Sequence, residues 1–146
     1  ITQNIDGLHR KAGSSKVIEI HGSLREIICL QCGKEYLAPN VPTGSPPCCD
    51  CGGVLKPNTV LFGESLPPEA LERASREAQS CRTMLVIGTS AVVYPAAAMP
   101  SLARQHGAKI IEVNIERAFP QADIAIMDRA TVAMTRLLEE IRSIIA

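Results

Sequence analysis

The chain has 146 residues, 46% of them hydrophobic and 21% charged, which is ordinary for one globular domain or a domain with a small module. Lys+Arg and Asp+Glu number 15 each, so the formal net charge is zero, which argues against nucleic-acid or anionic-membrane binding driven by bulk charge. Aromatic residues make up only 3%, with no Trp, so the core must rely on Ile, Val, Leu and Ala, and a base-stacking surface is not expected.

Residues 1–13 read as a strand end turning into a short helix closed by Gly13. Residues 17–21 (VIEIH) and 25–29 are short β-prone runs. From residue 29 to 57 the character changes: Pro39, Pro42, Pro46, Pro47 and Pro57 alternate with Gly33, Gly44, Gly52 and Gly53. That stretch has too little apolar surface to fold by burial alone and needs a staple. Residues 59–62 (TVLF) predict a strand ended by Gly63. Pro67 and Pro68 open a helix with Leu71, Ala74 and Ala78 on one face. Residues 83–87 form an apolar run ending at Gly88-Thr89-Ser90, and Pro95 starts a helix that stops at Gly107. Residues 109–113 are apolar again and end at Asn114; residues 122–127 predict a further strand, and residues 131–145 a helix. Alternating strands and helices imply an α/β fold with a parallel sheet covered by helices on both faces. In such sheets ligands bind beyond the carboxyl ends of the strands, here Gly88-Thr89-Ser90 and Asn114. Nothing resembles a spanning helix or a signal peptide, and the first residue is Ile1 rather than Met, as in a fragment or excised domain.

Five of the six cysteines lie between Cys29 and Cys51. A secreted disulfide scaffold spreads its cysteines, whereas a cluster in a chain of cytoplasmic character reads as a metal site. Cys29-Leu30-Gln31-Cys32 and Cys48-Cys49-Asp50-Cys51 give two C-x2-C knuckles, the spacing of a zinc ribbon inserted at residues 29–57. Four protein thiolates leave no open coordination position, so the metal is expected to be structural. Cys49 competes with Cys48, and the two-residue spacing favours Cys29, Cys32, Cys48 and Cys51 as the ligands. Cys81 begins an apolar run and reads as a small buried hydrophobe.

Thr2-Gln3-Asn4-Ile5-Asp6-Gly7-Leu8-His9 is dense in polar groups just before a helix, which suits caps and turns or the gripping of an amide ligand. His21 ends a β-prone run beside Gly22, directly upstream of the cysteine cluster. TQNIDGLH (2–9), IEIHGS (18–23), the paired C-x2-C, FGE (62–64), GTSAVVYPAA (88–97) and the EVN run ending at Asn114 stand in the order found in sirtuins. The whole chain therefore resembles these NAD-dependent protein-lysine deacylases, also called Sir2 proteins.

The resemblance implies a partial Rossmann-like domain formed by residues 1–28 and 58–146. It implies NAD as co-substrate and an acyl-lysine protein or peptide as substrate, with no direct nucleic-acid or membrane partner. In sirtuins the acyl oxygen attacks C1′ of the nicotinamide ribose, nicotinamide leaves, and lysine and O-acyl-ADP-ribose are released. The catalytic base matches His21. Gln3, Asn4, Ile5 and Asp6 match the ribose and nicotinamide pocket; Gly88, Thr89 and Ser90 match the dinucleotide loop. Asn114 matches the contact to the adenosine ribose, and Ala130 falls near the adenine contact. Val60, Phe62, Gly63 and Glu64 match one edge of the peptide cleft, and Val92, Val93 and Tyr94 the other, so that an extended peptide adds main-chain hydrogen bonds.

The family's Gly-rich phosphate turn and its Asp-Phe-Arg segment find no counterpart in these residues. The chain thus resembles the C-terminal portion of a sirtuin, with crippled NAD affinity expected of it alone. Two other readings fit the same motifs: a non-catalytic zinc-containing module that binds acylated peptides or a partner, and a protein ADP-ribosyltransferase on the same scaffold.

Overall fold

A computed structural model describes residues 1–42 and 44–145. The chain divides into two compact units, Ile1–Ala74 and Ser75–Ala146.

In the first unit, Asp6 accepts the N–H of Leu8 on Oδ1 (2.9 Å) and so starts the single-turn helix α1, Leu8–Lys11. Three strands then form an antiparallel sheet in the order β2-β1-β3, with β1 at Gly22–Cys29, β2 at Glu35–Leu37 and β3 at Leu55–Thr59. The central strand β1 pairs Ile27 with both Tyr36 and Pro57, and Cys29 with Leu55. Its inner face meets a small cluster of Cys29, Cys49 and Leu55, lined by Ile27, Tyr36 and Val41. So little apolar surface explains why the segment needs a further staple.

Two expected strands are shortened here. The β-prone run at 17–21 makes a single bridge, Glu19 to Thr2, through Thr2 N–H to Ile18 O and Ile20 N–H to Thr2 O. The run at 59–62 leaves the ladder after the Gly22–Thr59 pair, with one further backbone bond, Val60 N–H to His21 O, beyond it.

The helix α2, Pro68–Ser80, starts on the expected proline and runs across the boundary of the units, with Ala74 and Ala78 fully buried. In the second unit β4 (Thr83–Ile87), β5 (Lys109–Asn114) and β6 (Ile124–Met127) form a parallel sheet in that order. Helix α3, Met99–Gln105, follows a turn of 3-10 helix at Ala96–Ala98, and α4 spans Ala130–Ile145. As the central strand, β5 is buried on both faces: Ile110 and Val113 are fully covered. Asp123 accepts from the N–H of Ile110 and from Lys109 Nζ, each at 2.9 Å, and these donors hold its carboxyl below the usual carboxylate range. It thereby sets the start of β6 one residue on, at Ile124. Among the described residues no helix is long and apolar enough to cross a membrane.

Candidate functional site

His21 occupies the turn that enters β1, and both its ring and its backbone are tied down. Its Nδ1 lies 3.2 Å from the carbonyl oxygen of Gln3, and its own carbonyl accepts the N–H of Val60 at 3.0 Å. A carbonyl only accepts, so this contact places the ring proton on Nδ1 and the lone pair of the neutral ring on Nε2. The next residue must be glycine: Gly22 has φ of 77°, and a Cβ there would sit 2.0 Å from the carbonyl oxygen of Asn58. The segment 2–6 is anchored alongside, through the Thr2 bridge and through Leu24 N–H to Ile5 O at 2.9 Å. Gln3, His21 and Val60 are thus brought together. Asn4 donates its backbone N–H to Thr2 Oγ1 at 3.1 Å, and Asp6 serves α1 as described, so both also act as the turn formers their residue types suggest.

Beyond Val60 the chain turns around Glu64. Its carboxylate accepts the N–H of Leu61 (3.0 Å) and Lys56 Nζ (2.8 Å), which together lower its pKa. Lys56 also donates to Thr59 O at 3.1 Å, a brace that the sequence motif FGE did not reveal. Phe62 stands fully exposed at the tip.

The cysteine cluster differs from expectation in one ligand. The sulfurs of Cys29, Cys32, Cys49 and Cys51 lie within 4.8 Å of one another, and Cys48 is outside the group. Cys48 forms an antiparallel bridge with Val54. Side chains alternate across such a pairing, so Cys49 points into the core while Cys48 is exposed, its Sγ 3.5 Å from the carbonyl of Pro46. The turn is closed by Cys49 N–H to Gly53 O and Gly52 N–H to Cys49 O, both 2.8 Å.

The donor set fits zinc. Four sulfurs about 2.3 Å from one tetrahedral ion lie about 3.8 Å apart; Cys29 to Cys51 is 3.6 Å and Cys32 to Cys49 is 3.7 Å. Backbone amides support the charged form. The N–H of Cys32 lowers the Cys29 thiol, and that of Cys51 together with the Tyr36 hydroxyl brings Cys49 down to about 6. Cys51 shows what the cluster demands of a cation. The Gly53 N–H lowers it, yet the three neighbouring sulfurs drive it up to about 12. Four thiolates at this spacing repel unless a cation neutralises them. Around the ring of sulfurs, Tyr36 Oη donates to Cys49 Sγ at 3.1 Å and Lys34 pairs with Asp50 at 2.6 Å. Gly53 packs against the cluster: a Cβ there would lie 2.7 Å from Cys29 Sγ.

In the second unit the two predicted strand tips come together. Ile87 is level with Val113, and the N–H of Gly88 donates to Val113 O at 3.0 Å. Asn114 Nδ2 donates to the carbonyl of Thr89 at 2.8 Å, while its Oδ1 accepts the N–H of Ile115 at 2.9 Å. Thr89 Oγ1 accepts from Ala91, whose φ of 53° belongs to the left-handed region, so this loop is a strained, fixed turn. Asn114 is in register with Met127, and Ala130 opens α4 at that same carboxyl edge. Ser90 belongs to the same loop, and Val92, Val93 and Tyr94 follow it with exposed side chains. The residues at 1–64 and those at 88–130 lie in separate units. Glu112, a buried carboxyl two residues before Asn114, is a member of this neighbourhood that the apolar reading of residues 109–113 missed.

The family model "Sir2 family" matches residues 1–95. A relative from Pyrobaculum aerophilum named NAD-dependent protein deacylase 2 is 46% identical over 145 residues, covering 97% of this chain and 58% of its own length. A solved structure described as a Sir2 homolog–NAD complex has a TM-score of 0.92 at 42% identity and covers 99% of this chain and 58% of that one. Another, described as Sir2 bound to acetylated peptide, has a TM-score of 0.89 at 37% identity, covering 94% and 61%. The chain therefore spans about three-fifths of the length of the proteins it matches.

Proposed function

This chain belongs to the Sir2 family, and on that premise we propose that the protein carrying it is an NAD-dependent protein-lysine deacylase. The observation that carries the reading is the His21 contact: Nδ1–H given to Gln3 O leaves Nε2 as a proton acceptor, on a residue whose own backbone carbonyl accepts the N–H of Val60. A positioned imidazole is the usual general base.

NAD supplies the electrophilic ribose carbon to which the acyl oxygen is joined as nicotinamide leaves. The residues proposed to hold it are Gln3, Asn4, Ile5 and Asp6 toward the nicotinamide ribose, and Gly88, Thr89, Ser90, Asn114 and Ala130 toward the rest of the dinucleotide. Support comes from the shared strand edge of Gly88, Thr89 and Asn114 and from the NAD bound by the related structure. His21 takes the proton from a ribose hydroxyl, and the Gln3 carbonyl stabilises the ring as it becomes charged. Val60, Phe62, Gly63 and Glu64, with Val92, Val93 and Tyr94, are assigned to the acyl-lysine peptide. The exposed Phe62 and the brace of Glu64 to Lys56 and Leu61 support a firm turn offering an apolar tip to a substrate. Zinc bound by Cys29, Cys32, Cys49 and Cys51 is structural, since protein fills all four positions. The setting is cytoplasmic, supported by cysteines grouped for metal rather than spread for disulfides.

The fate of the acyl group tests the proposal. With the natural full-length protein, NAD and an acetyl-lysine peptide, mass spectrometry should find the acetyl group on ADP-ribose. Free acetate in amounts equal to the lysine exposed contradicts the reading and indicates plain hydrolysis. ADP-ribose attached to protein with the acetyl-lysine intact favours a transferase instead.

A further inference from the structure

We infer that Glu112 is the positioning residue for the adenosine end of the cofactor site: its buried carboxyl group sets the loop after Asn114 and, through it, Asn114 itself. The inference rests on the reading that Asn114 contacts the adenosine ribose.

Glu112 is completely buried in the central strand β5, two residues before Asn114 and on the same face of the strand. Its Oε1 accepts two backbone N–H groups, from Ala118 at 2.6 Å and Phe119 at 3.0 Å. Among the described residues its Oε2 has no hydrogen-bond partner, and Arg117 Nε stands 3.8 Å away. A carboxyl group in such a place costs stability in its own right, and an apolar side chain would suit the middle of a parallel sheet better. An apolar side chain would, however, leave the Ala118 and Phe119 amides unpaired. The group therefore serves the loop: residues 115–119 fold back over the end of β5 until two of their amides reach one oxygen six and seven residues upstream.

Asn114 sits between this anchor and the neighbouring strand tip. Its Oδ1 receives the N–H of Ile115, the first residue of the anchored loop, and its Nδ2 reaches the carbonyl of Thr89. Both ends of the amide are thus fixed, one by the loop that Glu112 holds and one by the turn at 88–90. If the loop is released, the Ile115 donor moves, and the Asn114 side chain loses one of its two constraints. A site fixed before the ligand arrives binds more tightly than one that must be ordered on binding.

The test combines ADP-ribose titration with amide hydrogen exchange on the natural full-length protein. Glu112→Leu should weaken ADP-ribose binding about tenfold, the effect of loosening roughly one of the hydrogen bonds that hold Asn114. The amides of Ala118 and Phe119 should lose protection in the same variant. Glu112→Gln keeps an acceptor oxygen for both amides and should retain protection and stay within about twofold of wild-type affinity. Because coupling is reciprocal, ADP-ribose should also slow exchange at Ala118 and Phe119 in the wild-type protein, a readout that needs no variant to fold. Wild-type affinity in Glu112→Leu, or no slowing of the two amides by ligand, overturns the inference while leaving the reading of Asn114 in place. Failure of the wild-type protein to bind ADP-ribose at all sinks that reading, and the inference with it.

Discussion

Replacing Cys49 by serine is expected to release the metal and unfold the antiparallel sheet, whereas replacing its neighbour Cys48 leaves both intact. The two variants differ by one position in sequence and by the whole of the site in space. Cys49 Sγ is 3.7 Å from Cys32 Sγ and receives the hydroxyl proton of Tyr36, while Cys48 faces outward. Structural zinc in small modules contributes about 10–16 kcal/mol of apparent binding free energy, and most of it disappears when one of four thiolates is removed. The apolar cluster of Cys29, Cys49 and Leu55 with its three neighbours is too small to hold β1, β2 and β3 without it. Elemental analysis should find one zinc per chain in the wild type and in Cys48→Ser, and little or none in Cys49→Ser. Limited proteolysis should cut Cys49→Ser within residues 29–57 under conditions that spare the wild type. Equal zinc content in the two variants would show that either cysteine can complete the cage and that the outward side chain of Cys48 does not keep it from the metal.

His21→Ala is expected to lower kcat for deacylation by about 10²–10⁴-fold, the usual contribution of a positioned general base. Zinc content and the thermal unfolding midpoint should change little, because the ring makes one hydrogen bond, to Gln3 O, and the backbone bond from Val60 survives the substitution. That combination separates loss of a proton acceptor from loss of the fold. Turnover within a few-fold of wild type in the folded, zinc-loaded variant would remove His21 from the chemistry and move the search for the base elsewhere on the chain.

Much of the architecture was legible because its signals are local. Continuous apolar runs at 83–87 and 109–113 became the parallel strands β4 and β5; β5 is buried on both faces as such a run implies, whereas β4 leaves Leu85 and Ile87 exposed on one side. The Pro-opened, one-faced pattern after residue 67 became α2. Paired cysteines separated by a Pro/Gly-rich stretch announced a metal cage. What escaped depends on contacts between distant residues. The two-residue spacing favours Cys48, yet Cys49 joins the group of sulfurs, because the bridge of Cys48 to Val54 turns consecutive side chains to opposite faces. Residues 59–62 have the β-branched and aromatic character of a strand, yet the ladder ends at the Gly22–Thr59 pair and only Val60 bonds beyond it, to His21 O. Glu112 looks like a polar interruption of an apolar run until the loop at 118–119 is seen to close on it. The brace of Glu64 by Lys56 is of the same kind, since the two meet across a turn eight residues long.

The reading of a deacylase that consumes NAD is tested most directly by counting two products in one reaction. With the natural full-length protein and an acetyl-lysine peptide, nicotinamide released should equal lysine deacylated, mole for mole, and both should fall to background when NAD is withheld. Deacylation that continues without NAD, or nicotinamide release that does not depend on the peptide, would contradict it.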